Sequence, residues 1–119
     1  MDIRIAAQAG YLRIVVEDRE GIAHAKEAVQ QIVHALETAE EPRALIVVRR
    51  SNAIFRVEDY RLSEAILRVA GIPGCKLALV GDSAELFASY QYVELLAQQK
   101  HLDARAFRSE REALQWLLA

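Results

Sequence analysis

Two uninterrupted apolar runs constrain the fold of this chain more than any other feature. Residues 44–48 and 77–80 contain only aliphatic side chains and show no alternation of apolar and polar positions. A strand with one solvent-facing side alternates, whereas a strand that is covered on both faces does not. The two runs therefore predict central strands of a parallel sheet, with helices on both faces of that sheet.

Helices are predicted between and after these strands. Four stretches carry apolar residues at helical spacing, at residues 20–38, 59–70, 84–100 and 113–117. Asp82 with Glu85, and Ser109 with Glu112, have the spacing of a capping box, in which the first side chain caps the helix. These two pairs predict where the last two helices begin.

The remaining elements are short strands. Residues 3–7 and 11–17 flank Gly10, and the second run is rich in β-branched side chains, which predicts an antiparallel hairpin. Residues 102–107 predict a short edge strand. We therefore expect residues 1–119 to form one α/β domain with a mainly parallel mixed sheet of four to five strands, an N-terminal hairpin and four helices.

The composition is that of a soluble globular domain. Of the 119 residues, 53% are apolar and 27% are charged, and no apolar run approaches the roughly 20 residues of a membrane helix. Residues 1–4 lack the pattern of an export signal, so we expect a cytoplasmic location and no membrane span. Residues 43–76 carry seven Lys and Arg against three Asp and Glu, too small an excess to predict a nucleic-acid partner.

No residue set predicts catalysis or a metal site. Cys75 is the only cysteine, which excludes an internal disulfide framework and a cysteine-based zinc cage. His24 and His34 are ten residues apart, about 280° around a helix axis, and do not share a face. The sequence has no glycine-rich phosphate loop and no nucleophile elbow. We therefore expect neither an enzyme nor a cofactor.

A basic stretch after the first buried strand is the best candidate for a binding site. Ligands of parallel sheets collect beyond the carboxyl ends of the strands, next to helix N-termini that favour anions. Guanidinium groups there could hold a carboxylate, a phosphate or an acidic protein surface. The candidate interaction or anion-binding residues are Arg49, Arg50, Ser51, Asn52, Arg56 and Arg61. The alternative is a solvated surface on which these residues pair with Glu58, Asp59 and Glu64.

The predicted helix over residues 84–100 has more apolar surface than a simple surface helix needs. Phe87, Tyr92 and Leu95 lie away from its main apolar stripe. Exposed together, they would form an apolar patch suited to a homodimer or to a partner helix. Lining a hidden pocket, they would instead favour a small-molecule ligand.

The predicted order of elements, β-β-α-β-α-β-α-β-α, resembles the STAS or SpoIIAA-like family of anti-sigma-factor antagonists. Residue patterns add to the likeness, namely Leu77-Ala-Leu-Val-Gly-Asp82, the helix with Tyr90, Val93 and Leu96, Ala106-Phe107, and Glu112-Ala-Leu-Gln-Trp-Leu117. The order of elements matches over nearly the whole chain, and the residues match over about residues 76–118. The resemblance implies a non-enzymatic regulatory or protein-interaction module.

The same resemblance bears on phosphorylation. Family members related to the sporulation antagonists bind a partner kinase and are switched by phosphorylation of a serine in an Asp-Ser-Ser-Gly-like turn. The matching stretch here, residues 49–55, lacks the Asp, the second Ser and the Gly. Ser51 is kept as a candidate phosphoacceptor, and Ser63, one turn into the next predicted helix, is a second candidate. The alternative for Ser51 is a loop hydroxyl that bonds the local backbone.

Two functions stay open at this point. The first is an interaction module with a protein partner, a homodimer or both. Other SpoIIAA-like proteins resemble the lipid-binding Sec14 fold, which implies the second function, a binder of a small apolar or amphipathic ligand in a crevice between helices and sheet. A regulatory module should have a closed core and an exposed patch near residues 51–61, whereas a carrier should have an internal cavity.

Overall fold

A five-stranded sheet forms the centre of the molecule. The computed structural model describes the backbone of all 119 residues and every side chain except those of Val57 and Asp59. The strands are β1 (Asp2–Gln8), β2 (Tyr11–Glu17), β3 (Arg43–Arg49), β4 (Lys76–Gly81) and β5 (Asp103–Phe107). The α-helices are α1 (Ile22–Thr38), α2 (Leu62–Ala70), α3 (Ala84–Gln99) and α4 (Glu110–Leu117), and a single 3-10 turn, Val57–Tyr60, precedes α2.

The sheet topology confirms the predicted fold class. The strands lie in the order β1-β2-β3-β4-β5, with β1 antiparallel to β2 and all other neighbours parallel. The two apolar runs lie in β3 and β4, which are interior strands, and residues 103–107 form an edge strand as predicted. Among the helices that the structure describes, none combines the length and the apolar character needed to cross a membrane.

The two faces of the sheet are covered unequally. Every parallel crossover moves one strand further in the same direction, and right-handed connections of this kind place all their helices on one face. Accordingly, buried residues of α1, α2 and α3 belong to one large apolar core, with Ile14, Ile46 and Leu79 from the strands. The other face has a smaller core in which Ala113 and Leu117 of α4 cover β3 and β4.

Charged groups fasten α4 to its face of the sheet. Glu110, in the first turn of α4, accepts hydrogen bonds from Arg13 of β2 and Arg49 of β3, each at 2.8 Å. Burial raises the pKa of Glu110, but hydrogen bonds from these two arginines outweigh burial and leave the pKa below its ordinary value. At the other end of the helix, Lys76 Nζ donates to the Trp116 carbonyl at 2.8 Å and lies 4.4 Å from the centre of the Trp116 ring.

Two local predictions need correction. The predicted helix over residues 59–70 is divided, because Arg61 has a left-handed backbone (φ 57°) between the 3-10 turn and α2.

The cap of α3 is Ser83, whose Oγ accepts from the Leu86 N–H at 3.1 Å, and not Asp82. Asp82 instead accepts a hydrogen bond from the backbone N–H of Arg50 at 3.2 Å. The predicted cap of α4 is confirmed, since Ser109 Oγ accepts from the Glu112 N–H.

Gly81 lets α3 approach the end of β4 closely. A Cβ atom at this position would lie 2.6 Å from the Cβ of Leu86 and 3.1 Å from its carbonyl carbon. Both atoms belong to the first turn of α3, so the contact cannot be relieved by rotating a flexible side chain.

We predict that Gly81→Ala lowers the free energy of unfolding by about 1–3 kcal/mol, because overpacking of this kind forces the backbone to shift. The matched control is Gly71→Ala, at which φ is −76° and the nearest atom to a new Cβ is 3.4 Å away. The control should stay within about 0.5 kcal/mol of the wild type. Urea denaturation followed by the fluorescence of Trp116 measures both, and equal stability of the two variants would contradict this reading of Gly81.

Candidate functional site

The carboxyl ends of the parallel strands converge on one edge of the sheet, as the ends of parallel strands must. The chain leaves β2 at Asp18 and Arg19, and it leaves β3 at Arg50 and Ser51. Asn52 joins the two segments, because its N–H donates to the Arg19 carbonyl at 3.0 Å and its Nδ2 donates to the Glu20 carbonyl at 2.9 Å. The residues after β2 and after β3 therefore form one hydrogen-bonded unit.

Arg19 is the most unusual side chain in this unit. It is only 7% exposed, and its Nη2 donates to the Asn52 carbonyl at 2.7 Å. Its Nε has no hydrogen-bond partner. No carboxylate is paired with it among the side chains that the structure describes. Burying an ion costs several kcal/mol of hydration, and the hydrogen bond to the Asn52 carbonyl offsets only part of that cost.

The acidic side chains at this edge are bonded to other groups. Glu17 is itself buried, and its two carboxylate oxygens accept from Arg4 and Arg50, the latter at 2.8 Å. Asp18 lies 3.6 Å from Arg50 Nε, and Asp82 accepts from the Arg50 N–H. Glu17 and Asp18 are thus directed at Arg4 and Arg50, Asp82 is bonded to a backbone N–H, and none of the carboxylates that the structure describes is paired with Arg19.

An apolar cavity of about 100 Å³ lies beside Arg19, between the sheet and helices α1, α2 and α3. Its walls come from β-strand residues such as Val16, Val48 and Leu79 and from inner faces of all three helices. Arg19 is the one charged residue among the lining residues that the structure describes. The cavity therefore has an apolar body and a single cationic end.

Tyr60 and Tyr90 are the two phenols that line the cavity with Arg19. Burial raises the pKa of Tyr60 to about 12, although the nearby charge of Arg19 acts in the opposite direction. Burial also raises the pKa of Tyr90, against a charge effect and a hydrogen bond from Arg19 that lower it. Both phenols are therefore neutral at physiological pH, so that each O–H remains available as a hydrogen-bond donor.

A surface groove of about 410 Å³ between α1 and α2 adjoins the cavity. Four residues line both the groove and the cavity, namely Val29, Val33, Tyr60 and Ala65. The two spaces are therefore neighbours that share part of their lining, and the cavity is itself partly open to the surface. The groove is also lined by Lys26, Arg61, Arg68 and Glu64, and Arg68 donates to both carboxylate oxygens of Glu37 at 2.8 and 2.9 Å.

Left-handed backbone is concentrated in the loops around this cavity. Of the four non-glycine residues with positive φ, Asp18 (59°), Arg50 (47°) and Arg61 (57°) lie after β2, after β3 and before α2. Such conformations are unfavourable for side chains with a Cβ, and they cluster at ligand sites. The conformation of these three residues is therefore a second indication of a site at this edge.

The arginines predicted to form one basic site are distributed over different surfaces. Arg49 points toward α4 and bonds Glu110, on the face of the sheet opposite to α1 and α2. Arg50 bonds Glu17. Arg56 is exposed and lies 3.7 Å from Glu58, and Arg61 lines the groove between α1 and α2. The structure therefore does not bring these four guanidinium groups together.

The predicted serine candidates differ in accessibility. Ser51 Oγ accepts from the Arg19 N–H at 3.0 Å and donates to the Arg49 carbonyl at 2.7 Å, so its hydroxyl is engaged by the local backbone. Ser63 is exposed in the first turn of α2. A phosphate on Ser63 would lie at a helix N-terminus, which favours negative charge.

The three residues of the predicted apolar patch on α3 are not equally exposed. Tyr92 is 42% exposed and Leu95 is 57% exposed, and the two lie one helical turn apart. Phe87 is half-buried, and Arg108 lies over its ring with Cζ 6.0 Å from the ring centre. The exposed apolar surface of α3 is therefore formed by Tyr92 and Leu95, and none of the three residues lines the cavity.

Arg19 was missed by the sequence reasoning, which kept a ligand crevice between helices and sheet only as an alternative and named no residue for it. Arg19 lies within Glu17-Asp-Arg-Glu20, a run of charges that is typical of a solvated loop. The signal that could have located it is its position directly after a buried β-branched run, at the carboxyl end of a parallel strand. Cys75 is buried, and burial raises the pKa of its thiol to about 11.

A scan against protein-family models finds no match for the chain, and a search of the curated proteins finds no significant match either. Among the side chains that the structure describes, no group of three or more His, Cys, Asp or Glu is placed to hold a metal ion. The assignment of a function therefore depends on the geometry of the cavity and of its surroundings.

The burial of Tyr60 predicts a loss of stability at high pH. Below pH 10.0, its ordinary pKa, the folded and unfolded chains both keep the phenol proton; between pH 10.0 and about 12, only the unfolded chain loses it. The free energy of unfolding should therefore fall by about 1.4 kcal/mol per pH unit from this group alone.

The variant Tyr60→Phe lacks this proton. The stability advantage of the wild type over Tyr60→Phe should therefore shrink by roughly 2–3 kcal/mol between pH 10 and 12. Urea denaturation of both proteins at a series of alkaline pH values measures this difference. The effects of the other titrating groups are the same in the two proteins and cancel in the comparison. Parallel pH dependences would show that Tyr60 titrates normally in the folded protein.

Proposed function

We propose that this protein is a non-enzymatic module that binds a small apolar or amphipathic molecule in the cavity between α1, α2, α3 and the sheet. The observation that carries the proposal is the apolar cavity of about 100 Å³ with the buried, uncompensated Arg19 at its edge. Apolar pockets with a few directed polar groups are the usual form of small-molecule sites. A purely regulatory module is expected to have a closed core, whereas the core of this protein contains a cavity.

The volume of the cavity limits the ligand to a small one. An engineered apolar cavity of about 150 Å³ holds benzene, which has six carbon atoms. By the same measure, about 100 Å³ encloses roughly four carbons. Because the cavity is partly open to the surface, a chain that is one or two carbons longer can extend out of it. The diacyl lipids that the Sec14 likeness suggests are far larger, so the proposed ligand is a short-chain or small cyclic molecule.

The groove between α1 and α2 is the proposed route of access. Tyr60 and Ala65 line both the groove and the cavity, and Tyr60 belongs to the 3-10 turn that leads into α2. A small displacement of this turn and of the nine-residue α2 would widen the passage between the two spaces. The left-handed Arg61, which lies between the turn and α2, is the position at which such a displacement would occur.

We also propose membership of the SpoIIAA-like family and a cytoplasmic location. The observed sheet, with its opening hairpin and its strand order, supports the family likeness. The buried, free Cys75 fits a chain that is stable in a reducing compartment.

A substitution that fills the cavity tests the proposed function. Ala28 is buried in α1 and lines the cavity, whereas Ala23 is exposed on the same helix. We expect Ala28→Leu to abolish binding of a small ligand such as hexanoate or hexan-1-ol, because the added atoms occupy the space. The matched variant Ala23→Leu should bind as the wild type does, and isothermal titration calorimetry measures both.

Native mass spectrometry of the protein purified from its host complements this test. The wild type and Ala23→Leu should retain a small bound molecule, and Ala28→Leu should not. Loss of binding in both variants would point to a general defect, and equal binding by all three proteins would place the ligand outside the cavity. Circular dichroism confirms that each variant is folded.

The second candidate function is a protein-interaction or regulatory module, as the SpoIIAA-like resemblance implies. Two observations support it. Tyr92 and Leu95 leave an apolar area on the outer face of α3, and Ser63 offers an exposed hydroxyl at the start of α2. A homodimer or a protein partner could bind through α3, and phosphorylation could act through α2.

The α3 surface can be tested with two equally exposed leucines. Leu95 on α3 and Leu67 on α2 are 57% and 56% exposed. If α3 forms a homodimer, sedimentation velocity should show a dimer for the wild type and for Leu67→Glu, and a monomer for Leu95→Glu, because the new charge would be buried in the interface. A dimer that survives Leu95→Glu would contradict the use of this surface.

A further inference from the structure

We propose that the ligand is a monocarboxylic acid whose carboxylate binds Arg19 and whose apolar body occupies the cavity. This inference rests on the proposed function, and it adds the chemical class of the ligand. It follows from the charge of Arg19, from the hydrogen-bond donors around it and from the size of the cavity.

The charges at the site favour an anion. Arg19 is a buried cation, and no carboxylate among the described side chains is paired with it. Glu17 is held by Arg4 and Arg50, and Asp18 lies against Arg50. The acids nearest in the chain are thus bonded elsewhere, and a ligand carboxylate would supply the missing negative charge.

The unused donors at the site suit a carboxylate. The Nε–H of Arg19 has no partner, and a guanidinium binds a carboxylate best through two parallel N–H groups. Tyr90 and Tyr60 line the same cavity, and burial raises the pKa of both so that their hydroxyls keep their protons. Neutral phenols beside a guanidinium can donate to the same anion, in the manner of a small oxyanion site.

The single positive charge favours a monoanion over a phosphate dianion. The charged groups that act on Tyr60 and Tyr90 are Arg19 and the acidic Asp82. A second negative charge would therefore be uncompensated and would be repelled by Asp82. Lys26 and Arg61, which line the groove with Glu64, would attract an anion toward the route of access, whereas Arg68 is already paired with Glu37.

Calorimetric titration of the wild type with three probes of equal chain length tests the inference. Hexanoate should bind at least about tenfold more tightly than hexan-1-ol, since a hydrogen bond to a charged group contributes about that much. Hexyl phosphate should bind less tightly than hexanoate at pH 8. Tighter binding of hexyl phosphate than of hexanoate would overturn the assignment of a carboxylate.

Variants of Arg19 identify the group that is responsible. Arg19→Met keeps a long side chain without the charge and should abolish the preference for hexanoate over hexan-1-ol. Arg19→Lys keeps the charge but not the planar fork, and it should retain part of the preference. The control Arg111→Met removes an exposed arginine of α4, on the opposite face of the sheet, and should bind as the wild type does.

The outcomes separate this inference from the proposed function. Equal affinities of the wild type and Arg19→Met for hexanoate and hexan-1-ol, with both lost in Ala28→Leu, would refute the carboxylate assignment and leave the cavity as the site. Failure of the wild type to bind either probe at millimolar concentration would refute both. A preference for hexanoate that depends on Arg19 and is lost in Ala28→Leu supports both.

Discussion

The burial of one guanidinium, paired with none of the carboxylates that the structure describes, is the constraint on which this account depends. The side chain of Arg19 enters the main core and is only 7% exposed, yet the carboxylates closest to it along the chain are bonded to Arg4 and Arg50. Its backbone joins the end of β2 to the loop after β3 through Ser51 and Asn52. The residue is therefore held in place by the fold, and its charge is left for something outside the chain.

The asymmetry of the sheet explains why a cavity forms beside this charge. Helices α1, α2 and α3 cover one face, and α2 has only nine residues. Where they meet, several inward positions carry small side chains, among them Ala25, Ala28, Ala65 and Ala97. The opposite face is covered by α4 alone and is closed by Trp116, Leu117 and the ion pairs of Glu110. Space for a ligand thus exists on the three-helix face.

The fold was largely predictable from the sequence, and the site was not. Continuous aliphatic runs and helical periodicity report the burial of each residue along its own element, which is why β3, β4 and α1 were predicted within a few residues. The charge run around Arg19 has no such periodicity, and its burial arises only from the approach of the loop after β3. Conversely, Arg49 and Arg61 are close in sequence but lie on opposite faces of the sheet, because the chain crosses its edge between them. Closeness in sequence therefore suggested a single basic site, although these arginines lie on different surfaces.

The most direct test of the central claim is the NMR signal of the Arg19 Nε–H group in a ¹⁵N correlation spectrum. Without a hydrogen-bond partner but shielded from solvent, this proton should exchange slowly and resonate at an ordinary position in the free protein. Addition of hexanoate should move it strongly downfield, as a charge-assisted hydrogen bond forms, and addition of hexan-1-ol should not. An Nε–H signal that stays unchanged at saturating hexanoate would contradict the account.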